Sequence, residues 1–176
     1  MKTRICRAVA VVALSASAGA QAANPISQAI RDEWNGAKRN VLRSATAMPD
    51  AKFGFKPVDT VRSYGQILAH VAGASYVYCS AARGEKSPHE EDDFEKTAKT
   101  KAEIIKVLND SNAYCDAAYK ALTDRSAAEV VPGAFGGNDS GRASPLMRNV
   151  GHLNEHYGNL VTYFRIKGMV PPSSRR

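Results

Sequence analysis

No apolar run in this chain is long enough to cross a membrane as a helix. The longest, AVAVVALSASAGA at residues 8–20, has 13 residues, whereas a transmembrane helix needs roughly 20. It follows the basic segment MKTRICR and ends at Ala20-Gln21-Ala22, which is the pattern of a cleaved secretory signal. We therefore expect residues 1–22 to be a signal peptide and residues 23–176 to be one exported domain, periplasmic or secreted, without membrane association after cleavage. The alternative is an uncleaved N-terminal anchor.

The chain also lacks the concentrated basic surface of a nucleic-acid-binding protein. It has 24 Lys and Arg against 17 Asp and Glu. Three of the basic residues lie in the predicted signal, so 24 − 3 = 21 remain and the mature charge balance is +4. These residues are scattered and do not alternate with aromatic residues, as they would on a nucleic-acid-binding surface. We expect no nucleic-acid partner.

Apolar residues at three- and four-residue steps predict four long amphipathic helices. The expected helices span residues 25–47, 63–83, 93–122 and 144–167. Three of them are expected to open at capping or proline residues, namely Asn24-Pro25, Ser63 and Ser144-Pro145, and Gly84 and Gly168 follow the ends of two. Four such helices in one small domain predict an all-α four-helix bundle, with a long irregular loop before the last helix. In that loop, VVPGAFGG is expected to form a short strand or a turn.

Two histidines, His152 and His156, lie four residues apart on the last predicted helix. At 100° per residue they share one flank of the apolar stripe, so their imidazoles can converge on one ion. His70 points inward from the middle of the second helix and is the expected third ligand. The alternative is that these histidines are hydrogen-bonded core residues. His89, in the acidic loop, is expected to be solvated.

The letters His-Leu-Asn-Glu-His at residues 152–156 match the signature of an inverted zinc protease. That design takes its third ligand from an acidic residue well downstream. The 20 residues that follow His156 contain neither Asp nor Glu. We therefore exclude peptide cleavage by that design.

Three further residues on the last helix are candidates for chemistry beside the histidines. Glu155 lies about 60° from His152 around the helix and is the nearest candidate general base. Its alternative role is that of a solvated surface glutamate. Asn149 and Tyr163 lie on the same flank as the histidines and are candidates for hydrogen bonds to a substrate.

The segments FKP and SYGQILAHVAG in the first half, and HLNEHYGNLVTYFRIKGMVPPSS in the second, resemble the DinB-like family of metal-dependent bundle proteins. The resemblance covers residues 24–174. It implies a down-up-up-down bundle and one divalent metal ion held by His70, His152 and His156. Zinc or nickel is the ion most expected, although three imidazoles also suit iron or copper. Homodimers are common in this family, although the sequence itself does not indicate one.

In the down-up-up-down topology the second and third helices run parallel, and this direction decides whether the two cysteines of the mature chain, Cys79 and Cys115, can pair. In parallel helices the two residues are offset by only ~9 Å at 1.5 Å per residue. In antiparallel helices the offset would be ~25 Å, beyond disulfide reach. Because an exported protein with two cysteines favours pairing, we expect a disulfide. The alternative is two buried free thiols.

A three-histidine site leaves coordination positions open, which is typical of catalytic rather than structural metal sites. The leading hypothesis is a metal-dependent enzyme, of hydrolase or thiol-transferase type, acting on an unknown small molecule. Export argues against the thiol-transferase type, because the characterised thiol-dependent members of this family use cytosolic thiols. The alternative is a non-catalytic protein in which the metal pins the second helix to the fourth. A third hypothesis is an interaction module, in which the loop 133–141 and the tail MVPPSS cover the site or a dimer face.

Overall fold

The computed structural model describes residues 24–175, and the predicted signal peptide at residues 1–22 lies outside them. The described chain has six helices: α1 (Pro25–Ala47), α2 (Tyr64–Arg83), α3 (Phe94–Thr97), α4 (Lys101–Ala121), α5 (Asp124–Ala127) and α6 (Ala143–Ile166). A hairpin of β1 (Val130–Phe135) and β2 (Asn138–Gly141) precedes α6. Short 3-10 turns lie at Asp50–Lys52 and Pro172–Ser174.

The four long helices form a bundle in which α1 and α2 both pack between α4 and α6. Helices α2 and α4 run parallel: a Cβ at Gly65 would lie 3.0 Å from Ile104 Cδ1 near their starts, and Cys79 meets Cys115 near their ends. Helix α6 runs antiparallel to α2, because Tyr64 contacts Phe164 and Ser75 contacts Asn149. Helix α1 runs antiparallel to α4, because Arg31 bonds to Leu122 and Lys101 bonds to Met48. The predicted all-α bundle with down-up-up-down order is therefore confirmed.

Local sequence explains where α2 begins and ends. The hydroxyl of Ser63 accepts a hydrogen bond from the backbone N–H of Gln66, and the Gln66 side chain accepts one from the backbone N–H of Ser63. This reciprocal pair satisfies two of the N–H groups that a helix start leaves without partners. At the other end Gly84 has φ +71°, a left-handed conformation that stops the helix without strain on a side chain.

The prediction of one continuous helix over residues 93–122 is wrong, because the structure has two helices there, α3 and α4. Thr100 caps α4: its hydroxyl accepts from the N–H of Glu103, and the Glu103 carboxylate accepts from the N–H groups of Thr100 and Lys99. These bonds hold the N-cap residue in an extended conformation, so the chain cannot run as one helix through residues 98–100. The three- and four-residue spacing of apolar residues continues across residues 98–100, so this spacing did not predict the break.

The segment between α4 and α6 is more regular than the predicted loop. It contains α5 and the antiparallel β1–β2 hairpin, so the expected strand in VVPGAFGG is confirmed. Gly136 and Gly137, between the strands, both have positive φ angles, as two-residue hairpin turns require. Helix α6 begins at Ala143, and no side-chain capping bond is made at its start. The predicted capping by Ser144 is therefore wrong.

Within the apolar core formed by the four long helices, an aromatic stack joins α1 to α4 and a cysteine pair joins α2 to α4. Trp34 of α1 stacks on Tyr119 of α4 with ring centroids 4.5 Å apart, and both are buried. The sulfur atoms of Cys79 and Cys115 lie at bonding distance, 1.97 Å apart, as expected from parallel helices. Closing a loop with a sequence separation of 36 contributes about 4 kcal/mol to stability in the chain-entropy model.

None of the helices within residues 24–175 is long and apolar enough to span a membrane.

Candidate metal centre

The three predicted histidine ligands meet at one point between α2 and α6. The Nε2 atoms of His70 and His152 are 3.2 Å apart, and those of His152 and His156 are 3.1 Å apart. One nitrogen from each of the three rings lies within 4.8 Å of the other two. The i,i+4 spacing on α6 turns two imidazoles to the same side, and α2 supplies the third from across the bundle.

This donor set suits a divalent transition-metal ion. Two imidazole nitrogens that each lie 2.0–2.1 Å from a tetrahedral zinc ion are separated by about 3.3 Å. The two separations in the structure, 3.1 and 3.2 Å, are close to that value. Three neutral imidazoles suit zinc, nickel, copper or ferrous iron.

A carboxylate that the sequence analysis missed, Glu95 of α3, holds His70 in the correct tautomer. Its Oε1 lies 3.0 Å from His70 Nδ1. A proton on Nδ1, donated to this carboxylate, leaves Nε2 with the lone pair that a metal needs. The other oxygen, Oε2, accepts a hydrogen bond of 2.9 Å from Arg62 Nε. Glu95 therefore bridges a ligand and an arginine.

The outer nitrogens of the other two ligands differ in their surroundings. The side-chain amide of Asn159 lies 3.3 Å from His156 Nδ1, so a turn of α6 supports this ring. In contrast, His152 Nδ1 is buried without a hydrogen-bond partner among the described residues. The ring of His152 packs against the ring of Tyr78, with centroids 5.6 Å apart, and this contact limits its rotation.

Burial keeps all three imidazoles in the neutral form that metal binding requires. Desolvation lowers the pKa of His152 to about 4, with His156 and His70 as further causes. Desolvation is also the main cause that lowers the pKa of His70 and of His156. The cationic Arg62 contributes to each of the three shifts. At neutral pH the cluster is therefore uncharged and ready to bind a cation.

The centre is open on one side. His70 and His152 are partly exposed, whereas His156 is 8% exposed. Beside them lies a pocket of about 340 Å³. Its walls come from the α1–α2 connection, α2 and α6, and comprise Pro57, Thr60, Val61, Arg62, Ile67, Asn159 and Tyr163. None of the three histidines lines this pocket, but two of its wall residues, Ile67 and Asn159, lie one helical turn from His70 and His156.

The other candidate residues do not all join the histidines. Asn149 is 0% exposed; its amide accepts from Ser75 and lies against the sulfurs of Cys79 and Cys115. This geometry does not support the predicted substrate contact, because the polar atoms of Asn149 are buried among helices. Tyr163 does line the pocket, but its hydroxyl donates to the backbone carbonyl of Arg62. Tyr163 therefore lines the pocket and holds the backbone of Arg62 in place.

Glu155 lies on the exposed surface of α6. Its charge acts on His70 and His156 by raising their pKa, against the larger effect of burial. It makes no hydrogen bond to either imidazole in the described part of the chain, so its role as a base stays a prediction. His89 lies elsewhere: it is 2.5 Å from an oxygen of Asp92 and packs on Tyr76, rather than being fully solvated.

Comparisons with known proteins agree with this architecture. A family model described as the DinB superfamily matches residues 33–168. A DinB-like protein from Bacillus cereus has a TM-score of 0.66 at 15% identity, covering 82% of this chain and 95% of that one. For a DinB-like protein from Bacillus subtilis the TM-score is 0.65 at 18% identity, with 84% and 99% coverage. No curated protein sequence matches significantly.

A thiol-dependent enzyme shares the fold as well. A mutant of the mycothiol-dependent maleylpyruvate isomerase has a TM-score of 0.61 at 14% identity, covering 76% of this chain and 60% of that one. At such low identity these structures establish the fold alone.

The lowered histidine pKa values predict that acid destabilises the metal-free protein. The unfolded state of His152 takes up a proton near pH 6.5, whereas the folded state resists until about 4. Stability is therefore complete above about pH 6.5 and falls as the pH drops towards 4. Urea unfolding of the metal-free protein should give a lower free energy of unfolding at about pH 5 than at about pH 7. The difference between the two pH values should be smaller in His152→Gln. An equal loss in both proteins would contradict the assignment.

The bridge from Glu95 predicts a defined effect on metal affinity. Glu95→Gln should weaken zinc binding by about 10- to 100-fold, because such outer carboxylates orient the ligand and raise its basicity. Glu91→Gln, which changes an exposed glutamate four residues before Glu95, is the matched control and should leave the affinity unchanged. Competition with a chromogenic chelator measures both. Equal affinities for the two variants would show that Glu95 does not support the site.

Proposed function

The chain belongs to the DinB superfamily, and on that premise we propose that it binds one divalent metal ion, zinc or nickel, and is a metal-dependent enzyme. The observation that carries the proposal is the convergence of the Nε2 atoms of His70, His152 and His156 beside an open pocket. Three protein nitrogens leave at least one coordination position for water or substrate. We propose a small molecule as the substrate.

A bound ion would supply Lewis acidity, which polarises an electrophile or lowers the pKa of a coordinated water or thiol. The chain itself supplies the surroundings. Glu95 fixes the tautomer of His70, and the Tyr78 ring restricts His152. Glu155 is exposed one residue before His156 and is the candidate for moving a proton to or from solvent.

Two reaction classes fit this arrangement, hydrolysis and thiol transfer. The structural likeness to a mycothiol-dependent isomerase supports the thiol class. The signal-like sequence at residues 1–22 supports an exported protein, which would work away from the reducing cytosolic thiol pool. The paired cysteines, Cys79 and Cys115, agree with an oxidising compartment. On balance we favour hydrolysis.

The second candidate function is a structural metal site without catalysis. It is favoured by one observation: the histidines come from α2 and α6, so an ion would tie these two helices together. In that case metal removal would unfold the bundle, because the binding free energy would be part of the folding free energy. The buried core and the cysteine pair argue that the bundle folds without an ion.

The first test is the metal content of the mature protein, purified without a histidine tag and analysed by elemental mass spectrometry. We expect about one equivalent of zinc or nickel per chain. His70→Ala and His156→Ala should each lose it, because two imidazoles hold an ion poorly. His89→Gln removes the fourth histidine, which lies outside the cluster, and should retain the metal.

Circular dichroism of the parent protein before and after chelation separates the two candidate functions. A folded, metal-free protein supports a catalytic ion, whereas unfolding on chelation supports a structural one. Absence of metal in the parent, with folded and unchanged variants, would contradict both.

A further inference from the structure

The pocket beside the histidines has one charged wall. Most of its lining is apolar or uncharged, from Pro57, Val61, Ile67 and the ring of Tyr163. Among the described residues that line it, Arg62 is the only one with a side chain that is charged at neutral pH. A volume of about 340 Å³ is within the range of small-molecule sites. The pocket therefore combines an apolar chamber with a single cation.

Arg62 is held in place from two sides. Its Nε donates to Glu95 Oε2 at 2.9 Å, and its backbone carbonyl accepts from the Tyr163 hydroxyl at 2.8 Å. This second bond ties the α1–α2 connection to α6. The guanidinium is consequently positioned before any ligand arrives, which lowers the entropy cost of binding.

The hydrogen-bonding capacity of Arg62 is not exhausted by Glu95. Among residues 24–175 its guanidinium makes a hydrogen bond through Nε alone, so the two terminal nitrogens remain available. The side chain is 44% exposed. Glu95 accepts hydrogen bonds from both Arg62 and His70, and it engages the arginine through Nε alone. The planar end of a guanidinium matches a carboxylate with two parallel hydrogen bonds.

From these contacts we propose that the pocket binds the carboxylate of a small organic acid on Arg62. The apolar body of the acid would lie against Pro57, Val61 and Ile67. Its reactive end would then face the histidines, because Asn159 both lines the pocket and contacts His156. The inference rests on the proposed metal site only for the orientation of this reactive end.

Benzoate and its neutral isostere benzamide are suitable probes, titrated by calorimetry into zinc-loaded mature protein at fixed ionic strength. Benzoate should bind and benzamide should bind at least about tenfold more weakly, as expected for the loss of a charge-assisted hydrogen bond. Arg62→Gln should weaken benzoate binding by a similar factor. Arg62→Lys, which keeps the charge without the planar fork, should be intermediate.

Arg165→Gln is the matched control, since Arg165 is an exposed arginine on α6 outside the pocket lining. It should bind benzoate as the parent does. Zinc content is measured for every protein, and inorganic phosphate is titrated as a second anion. Equal benzoate affinity in the parent and Arg62→Gln would overturn the proposal. So would equal binding of benzoate and benzamide, or tighter binding of phosphate than of benzoate.

The outcomes also separate this proposal from the metal function. If all proteins retain zinc and Arg62→Gln binds benzoate normally, the carboxylate pocket is refuted while the metal site stands. If the parent holds no metal but Arg62→Gln still weakens benzoate binding, the pocket stands and the metal function is refuted. In the metal-free His156→Ala variant, we expect benzoate binding to be reduced but still dependent on Arg62.

Discussion

The antiparallel packing of α2 against α6 is the constraint on which the rest of the site depends. Tyr64 meets Phe164 at one end of this contact, and Ser75 bonds to Asn149 further along. With both ends fixed, His70 has to lie opposite the histidine pair of α6. Slippage of one helix by a single turn, about 5.4 Å, would exceed the 3.2 Å that separates the nitrogens of His70 and His152.

The parallel course of α2 and α4 adds the second component of the centre. A parallel pair needs a connection that returns along the bundle, and here residues 84–100 provide it. The short helix α3 lies on this return path and carries Glu95 to His70 and Arg62. One carboxylate thus links the metal ligands to the charged wall of the pocket.

Periodicity alone was enough to predict the bundle, the bounds of α1 and the convergence of three histidines, because these follow from helical geometry. The break before α4 was missed, although Thr100 and Glu103 form the Thr-x-x-Glu signature of a helix start. Glu95 could not be identified, since its partner lies 25 residues away and only the crossover path brings them together. Asn149 shares the flank of the histidines on a helical wheel, yet the wheel does not reveal that α2 and α4 bury it.

The central claim is that three imidazoles coordinate one ion and leave a position open, and X-ray absorption spectroscopy of zinc-loaded mature protein tests it most directly. The account predicts three nitrogen ligands from imidazole at about 2.0–2.1 Å and at least one further oxygen or nitrogen ligand. It also predicts loss of this signature in His70→Ala. A sulfur ligand near ~2.3 Å, or a spectrum unchanged by His70→Ala, would contradict it.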